Sequence, residues 1–345
     1  MMGRMKPGRS GKPQGRKPGE KRKKSDTYVF ELIRSMETLS LLVSALELGI
    51  FEMIGRGGVD VMVEAGKKGY DPHALETLLN ALRVTKFIRK NGYNYELCEI
   101  TGQIMEDPFL VDNLRLAKVY TALFKYHARV KGKYLHIPDS DDLQVLTALA
   151  RHSAKAVVDC LYEWVPGLKN RPLSVMDVGC GQGYHLAALA LQNPKLRCIG
   201  IDANEEVLLR AAENMKKYGL QNVSLKKADL QTPVTEKLSD VITFFTSSRG
   251  MGKWELQGMA QNVFHSLKTG GYFIIQDFFL ENHRRAPVEN VFFDVKLALS
   301  TRGGKVFSLA EFEDLKDVGF RDFQVRPITA EKVPVKDSAF FIYRK

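Results

Sequence analysis

A chain of 345 residues, 44% of them hydrophobic and 26% charged, is long enough for two ordinary domains that each bury a core. The formal net charge of +11 would point to an acidic partner if it were spread over the fold, but residues 1–24 hold ten Lys or Arg against one Glu. The tail therefore carries +9 and residues 25–345 only +2. No apolar run approaches the roughly 18 residues that cross a bilayer, so no membrane partner is expected. Cys98, Cys160, Cys180 and Cys198 lie far apart with no C-x-x-C spacing, which argues against a zinc site or a disulfide framework. A reduced, cytoplasmic protein without a metal is the expectation.

Residues 1–26 have no aromatic or branched apolar side chain to bury and are rich in Gly, Pro and Lys, which predicts a disordered basic tail. It reads as a solubilising extension, with a nucleic-acid arm as the alternative. Residues 27–165 then follow a helical period. The stretch TYVFELIRSMETLSLLVSALELGIFEMI is apolar over more than one face and so wants two partners, one of which fits a second subunit. Asp71 and Pro72 form an N-cap and first-turn pair. Leu75, Leu78, Leu79 and Leu82 make the stripe that follows, and KFIRKNGYNYELCEIT predicts two short strands about Asn91-Gly92. Helix followed by hairpin is a winged-helix pattern. With Glu76 and only Arg83 to face phosphates, that helix is better suited to packing or dimerisation than to DNA. EDPFL at 106–110 is read as a helix end.

After Pro166 and Pro172 the period changes. LSVMDV, RCIGID, VSLKK, DVITFF, GYFIIQ, FQVRPI and AFFIY are strand-like, with helical stretches among the first five, which predicts a doubly wound α/β sheet ending in an edge hairpin. Glu205 to Tyr218 reads as a helix closed by Gly219, and Ser308 with Glu311 as a capping box opening a helix to Gly319. VMDVGCGQGYH joins the first strand to a helix, where glycines let the backbone approach a ligand. Asp202 ends the second strand 23 residues after Gly179, placed to accept ribose hydroxyls. Tyr184 stands where the last glycine of a dinucleotide fingerprint belongs, which argues against NAD.

DVGCGQG, IGID, KADL and SLKTGGYFIIQD, in that order and spacing, resemble the class I S-adenosylmethionine-dependent methyltransferases. ALELGIFEMI, the helix and hairpin, and GGKVFSLAEFEDLKDVGF extend the resemblance to the dimeric small-molecule O-methyltransferases that act on caffeic acid or hydroxyindoles. The resemblance implies a Rossmann-like, seven-stranded methyltransferase sheet in residues 166–345 and an N-terminal winged-helix-like dimerisation domain in 27–165. It implies S-adenosylmethionine as cofactor, with Gly179, Gly181 and Gly183 under the methionine part and Asp177 supporting that turn. Asp202 would hold the ribose, Asp229 the adenine amino group, and Leu230 the ring.

Where the family keeps a proton-abstracting histidine, DVITFFTSSRGMGKW has none. Counting from Asp240 or back from Asp277 gives Arg249, and anchoring on Trp254 gives Gly252; arginine stays protonated and glycine has no side chain. Asp277 matches one supporting carboxylate, while the other falls on Val306. His127, His136, His185 and His283 are the possible replacements, His185 being better placed to touch cofactor, and His265 reads as helix surface. Arg249 is expected to bind an acidic group or stabilise a phenolate. Methyl transfer to a small, aromatic or apolar metabolite with a non-standard or absent base is the leading reading. RNA or protein methylation tethered by the tail, and a cofactor-binding regulator without methyl transfer, are the alternatives.

Overall fold

The structure is a computed structural model, and it describes residues 24–345 apart from 58–59, 93, 109, 113, 115–138, 230–237, 288–289, 292, 295–296, 298–303 and 329–337. Most of the basic tail, Leu230, His127 and His136 lie outside the described residues, as does the side chain of Arg249. The chain forms two compact units that meet between Gly102 and Gln103.

The first unit holds α1 (Lys24–Glu47), α2 (Ile50–Gly55), α3 (Val61–Lys67), α4 (Pro72–Val84), β1 (Ile88–Asn91), β2 (Asn94–Leu97) and α5 (Glu99–Glu106, running just past the boundary). The Asp71 carboxylate accepts from the Ala74 N–H with Pro72 in the first turn, as expected. Leu75, Leu79 and Leu82 are buried, whereas Leu78 is half-buried. The strands pair antiparallel with Asn91 opposite Asn94, so the turn begins at Gly92 (φ 60°), one residue later than read. On α1 the C-terminal half is buried through Ala45 and Leu46, while Tyr28, Val29, Leu32, Ile33, Met36 and Leu39 remain exposed.

In the second unit, α6 (Asp139–Trp164) leads into β3 (Ser174–Val178), α7 (Tyr184–Gln192), β4 (Arg197–Asp202), α8 (Glu205–Lys217), β5 (Val223–Lys227), β6 (Ser239–Phe245), α9 (Lys253–Ser266), β7 (Leu267–Phe278), α10 (Leu309–Glu313), β8 (Asp322–Pro327) and β9 (Ser338–Arg344). The seven strands run β5-β4-β3-β6-β7-β9-β8. The first five are parallel, and β9 lies antiparallel between β7 and β8. The expected terminal hairpin therefore puts its second strand inside the sheet.

Each face of the sheet has its own core. On one, Val157, Val158 and Leu161 of α6 and Leu186 and Leu189 of α7 pack on Val175, Val241, Phe245, Ile274 and Phe340. On the other, Leu256, Met259 and Val263 of α9 meet Met176, Ile242, Phe244, Phe273, Ile275, Phe341 and Tyr343. Each fully buried side chain of this size contributes about 1.5–3 kcal/mol, so α6 is held by the sheet. This is why the expected boundary near residue 165 falls inside the second unit. Asn204 caps α8 by accepting from Glu206 and Val207, and Gly219 (φ 65°) follows its end. The Ser308 and Glu311 capping box forms, but its α-helix lasts only to Glu313 before tightening into a 3₁₀ turn, Asp314–Val318.

Candidate functional site

In a parallel sheet, ligands are taken at the carboxyl ends of the strands where the chain order reverses. A cavity of about 280 Å³ lies there, over the ends of β3, β4 and β6. The strand-to-helix turn after β3 forms one wall. Gly179, Gly181 and Gly183 all have positive φ (67°, 55° and 77°), a conformation that other residues adopt at a cost.

Their roles differ. A Cβ on Gly181 would meet nothing within 4 Å, so this glycine opens onto the cavity. On Gly179 it would stand 3.0 Å from Ser247 Oγ, which shows how closely the segment after β6 crosses the turn. On Gly183 it would stand 2.5 Å from Met215 Cε of α8, and Gly183 does not line the cavity. Its freedom serves the start of α7 and the packing of α7 on α8.

The acidic residues separate in the same way. Asp202 Oδ2 accepts from the Gly181 N–H at 3.0 Å and Oδ1 from the Asn204 N–H at 2.9 Å, tying the turn to the end of β4. Asp177 is buried in the cavity wall and accepts from Thr243 Oγ1 at 2.8 Å. Burial raises its pKa to about 7, with the Thr243 hydrogen bond working against the rise and the Asp202 charge adding to it. Asp229 follows β5, exposed and outside the cavity wall.

The segment after β6 carries the residues counted as a base position. Thr246 has φ 47°, an outlier for a β-branched residue, and its N–H donates to Gln276 O at 2.7 Å. Strain of this kind gathers at ligand sites, and Thr246 and Ser247 both line the cavity. Arg249 sits in a 3₁₀ turn, Ser248–Gly250. Asp277, expected beside a catalytic base, is buried, and its Oδ2 accepts from Ser248 N–H at 3.1 Å and Ser248 Oγ at 2.7 Å. Its place is therefore that of an anchor for the 3₁₀ turn, outside the cavity wall. Gly252 is the N-cap of α9, its N–H donating to Glu255, and Trp254 is 83% exposed. Val306 is buried in a small apolar cluster with Leu280 and Leu297.

Among the histidines, His283 is exposed and paired with Glu281 at 2.7 Å, and His265 is on the α9 surface. His185 is the one that reaches the cavity among those described. Its ring lies 4.5 Å from Phe245, its Nε2 has no hydrogen-bond partner among the described residues, and burial lowers its pKa to about 4. Sequence reasoning had placed it near the turn; the run HLAALAL, apolar around it, was the signal that it would also be buried. Thr147 and Ala150 of α6 complete the wall on the far side, a contribution that no motif announced. All four cysteines are free, and the described residues contain no cluster fit to hold a metal and no helix long and apolar enough to cross a membrane.

Residues 169–314 match a family model described as a methyltransferase domain. Among curated proteins, the chain is 22% identical over 318 residues to 3-hydroxy-5-methyl-1-naphthoate 3-O-methyltransferase of Streptomyces sahachiroi, covering 85% of this chain and 89% of that protein. It is 35% identical over 63 residues to a tRNA (guanine-N(7)-)-methyltransferase of Lachnoclostridium phytofermentans, over 18% of this chain and only 29% of that one. Four further curated relatives are likewise matched over about a quarter to a third of their length. Among solved structures, an O-methyltransferase family protein from Burkholderia thailandensis superposes with TM-score 0.77 at 15% identity, covering 94% of this chain and 99% of that one. Human N-acetylserotonin methyltransferase, solved with its S-adenosylmethionine, gives 0.67 at 16% identity, with 95% and 99% covered. At these identities the likeness is one of fold.

Proposed function

We propose that this chain, whose second unit is a class I S-adenosylmethionine-dependent methyltransferase domain, transfers a methyl group to a small, aromatic or apolar metabolite. The observation that carries the reading is the cavity at the ends of β3, β4 and β6, open at Gly181 and walled by Asp177 and Asp202. A ligand's backbone-like chain fits where Gly181 has no Cβ, and cationic groups fit a wall with two carboxylates. When bound, the cofactor supplies an electrophilic methyl group on a sulfonium.

What the protein adds is orientation and exclusion of water, which can remove roughly 7–11 kcal/mol of a barrier. Asp202 would hold the ribose hydroxyls, with Asp229 and Leu230 near the adenine. Asp277 holds Ser248 and with it the turn that carries Arg249. Arg249 remains protonated, so it orients an acidic group or steadies a phenolate and does not abstract a proton. His185, neutral and with a depressed pKa, is a weak base, and this favours acceptors that are already ionised or need little deprotonation. The small-metabolite reading is supported by the naphthoate enzyme's similarity along 85% of the chain, where the tRNA enzyme matches 18%.

The first unit is proposed to form a homodimer. Tyr28, Leu32 and Met36, spaced by four on α1, are 62%, 53% and 45% exposed, a stripe of the kind that marks an interaction surface. The four free cysteines support a cytoplasmic setting. The test is incubation of the protein and methyl-labelled S-adenosylmethionine with a cell extract split into metabolite, RNA and protein fractions. Label in the metabolite fraction is expected. Label in RNA, lost when residues 1–24 are removed, would replace this reading with tail-tethered RNA methylation, and binding without label would leave a regulator.

A further inference from the structure

The strand order gives the cavity two ends. It lies over β4, β3 and β6, which are neighbours in that order, so with strands about 4.8 Å apart its ends are separated by roughly 10 Å. At the β4 end stand Asp202 and Asn204, joined by the hydrogen bond from the Asn204 N–H to Asp202 Oδ1. At the β6 end stand Phe245, Thr246 and Ser247, and the turn that follows β3 lies between the two.

His185 belongs to the β6 end. Its ring centroid is 4.5 Å from that of Phe245, with the planes 35° from parallel, so Phe245 covers a face of the imidazole and fixes where it stands. The residue is 6% exposed. Of the buried side-chain polar atoms without a partner among the described residues, His185 Nε2 alone belongs to a residue in the wall of this cavity. Such atoms are rare in folded proteins because each one costs stability, and a site that takes a polar ligand is a setting that keeps them. Nearby Ser247 Oγ is committed to the Phe245 carbonyl at 2.8 Å, and no Lys or Arg lines the cavity among the described residues.

Resting on the cofactor assigned above, we infer that His185 recognises the amino-acid end of S-adenosylmethionine. The ligand is linear: adenine, ribose, sulfur, and then a short chain ending in an ammonium and a carboxylate. With the ribose on Asp202 at β4 and the adenine beyond it toward Asp229 after β5, the sulfur passes over the turn after β3. The amino-acid end then arrives at β6, where His185 stands. A neutral imidazole carries one N–H donor and one nitrogen acceptor, so it can serve either charged group there. A ring held in this way is a cofactor contact and is not free to take a proton from the acceptor.

The experiment uses the full chain and two ligands, S-adenosylhomocysteine and methylthioadenosine, which shares the nucleoside and the sulfur but lacks the amino-acid end. Dissociation constants come from calorimetry. His185→Leu should weaken S-adenosylhomocysteine about 10- to 100-fold, the range of a hydrogen bond to a charged group, and methylthioadenosine by less than about threefold. His185→Gln, which restores a side-chain donor and acceptor, should bind S-adenosylhomocysteine at least about threefold more tightly than His185→Leu does. If neither variant folds, NMR of the wild-type chain with isotope-labelled histidines still decides: one ring-nitrogen signal should move with S-adenosylhomocysteine and stay with methylthioadenosine. Equal losses for the two ligands, unchanged S-adenosylhomocysteine affinity in His185→Leu, or no ring signal that separates the ligands would overturn the inference. Failure of the wild-type protein to bind S-adenosylhomocysteine at all would refute the cofactor assignment itself.

Discussion

Gly181 and Gly183 are two residues apart in one turn, share a left-handed backbone and should fail in opposite ways when a methyl group is added. Alanine in that conformation costs about 1–2 kcal/mol at either position. At Gly181 that is the whole structural cost, since the new Cβ meets nothing within 4 Å. At Gly183 the Cβ arrives 2.5 Å from Met215 Cε and 3.5 Å from Ala211 Cβ, adding the cost of overpacking, about 1–3 kcal/mol. Because the closer atom ends a flexible side chain, the lower half of that range applies. Gly183→Ala should then lose about 3 kcal/mol and Gly181→Ala about 1.5. At roughly 3 °C per kcal/mol for a unit of this size, the expected falls in Tm are about 9 °C and about 4 °C. Binding should rank the other way. The methyl of Gly181→Ala enters the space a ligand must use, so affinity for S-adenosylhomocysteine should fall at least about tenfold, while Gly183→Ala should keep it within a few-fold. Thermal melts and calorimetric titration of both variants decide the matter. A Gly181→Ala protein that binds normally, or a Gly183→Ala protein that melts normally and does not bind, would refute the division of labour.

His185→Leu should change the acid side of the stability curve. The folded pKa of His185, about 4, lies below the unfolded value near 6.5, so its neutral form stabilises the fold fully above pH 6.5. That contribution is lost as pH falls toward 4, to the extent of about 3 kcal/mol, and the leucine variant should melt with a shallower dependence over this window. Asp277→Ala removes the acceptor for both Ser248 groups and should cost about 2–3 kcal/mol, with product-analogue affinity retained and methyl transfer reduced. A variant that loses cofactor affinity instead would place Asp277 at the ligand. Replacing Leu32 and Met36 by Asp should turn a dimer into a monomer in light scattering; a wild-type monomer would end the dimer proposal.

Most strands were legible because their period of two and their Gly and Pro boundaries are local properties, and the caps at Asp71 and Ser308 depend on side chains one to three residues away; the Asn204 cap was equally local and went unread. The first-unit boundary was not, because what assigns α6 to the sheet is the partner that Val157 and Leu161 find, which no local pattern states. The cavity end of the sheet could be located from the glycines and Asp202. For Asp277, counting positions along a family pattern fixes where a carboxylate stands on a strand, but its hydrogen bonds depend on Ser248, whose hydroxyl arrives from another loop. The packing of Gly183 is likewise beyond local pattern, since its neighbour Met215 belongs to a different helix.

The position of β9 bears on how the protein is made. Among the described residues β8 has β9 as its one neighbour in the sheet, and β7 faces β9 on its far side. A ribosome delivers β8 first, so that strand waits without a partner, and β7 presents a bare edge, until residues 338–344 emerge. During that interval the nascent chain offers two unpaired strand edges to its surroundings. Closure of the sheet is thus deferred to the final strand, and truncation before Ser338 should yield aggregate where truncation within the basic tail would not.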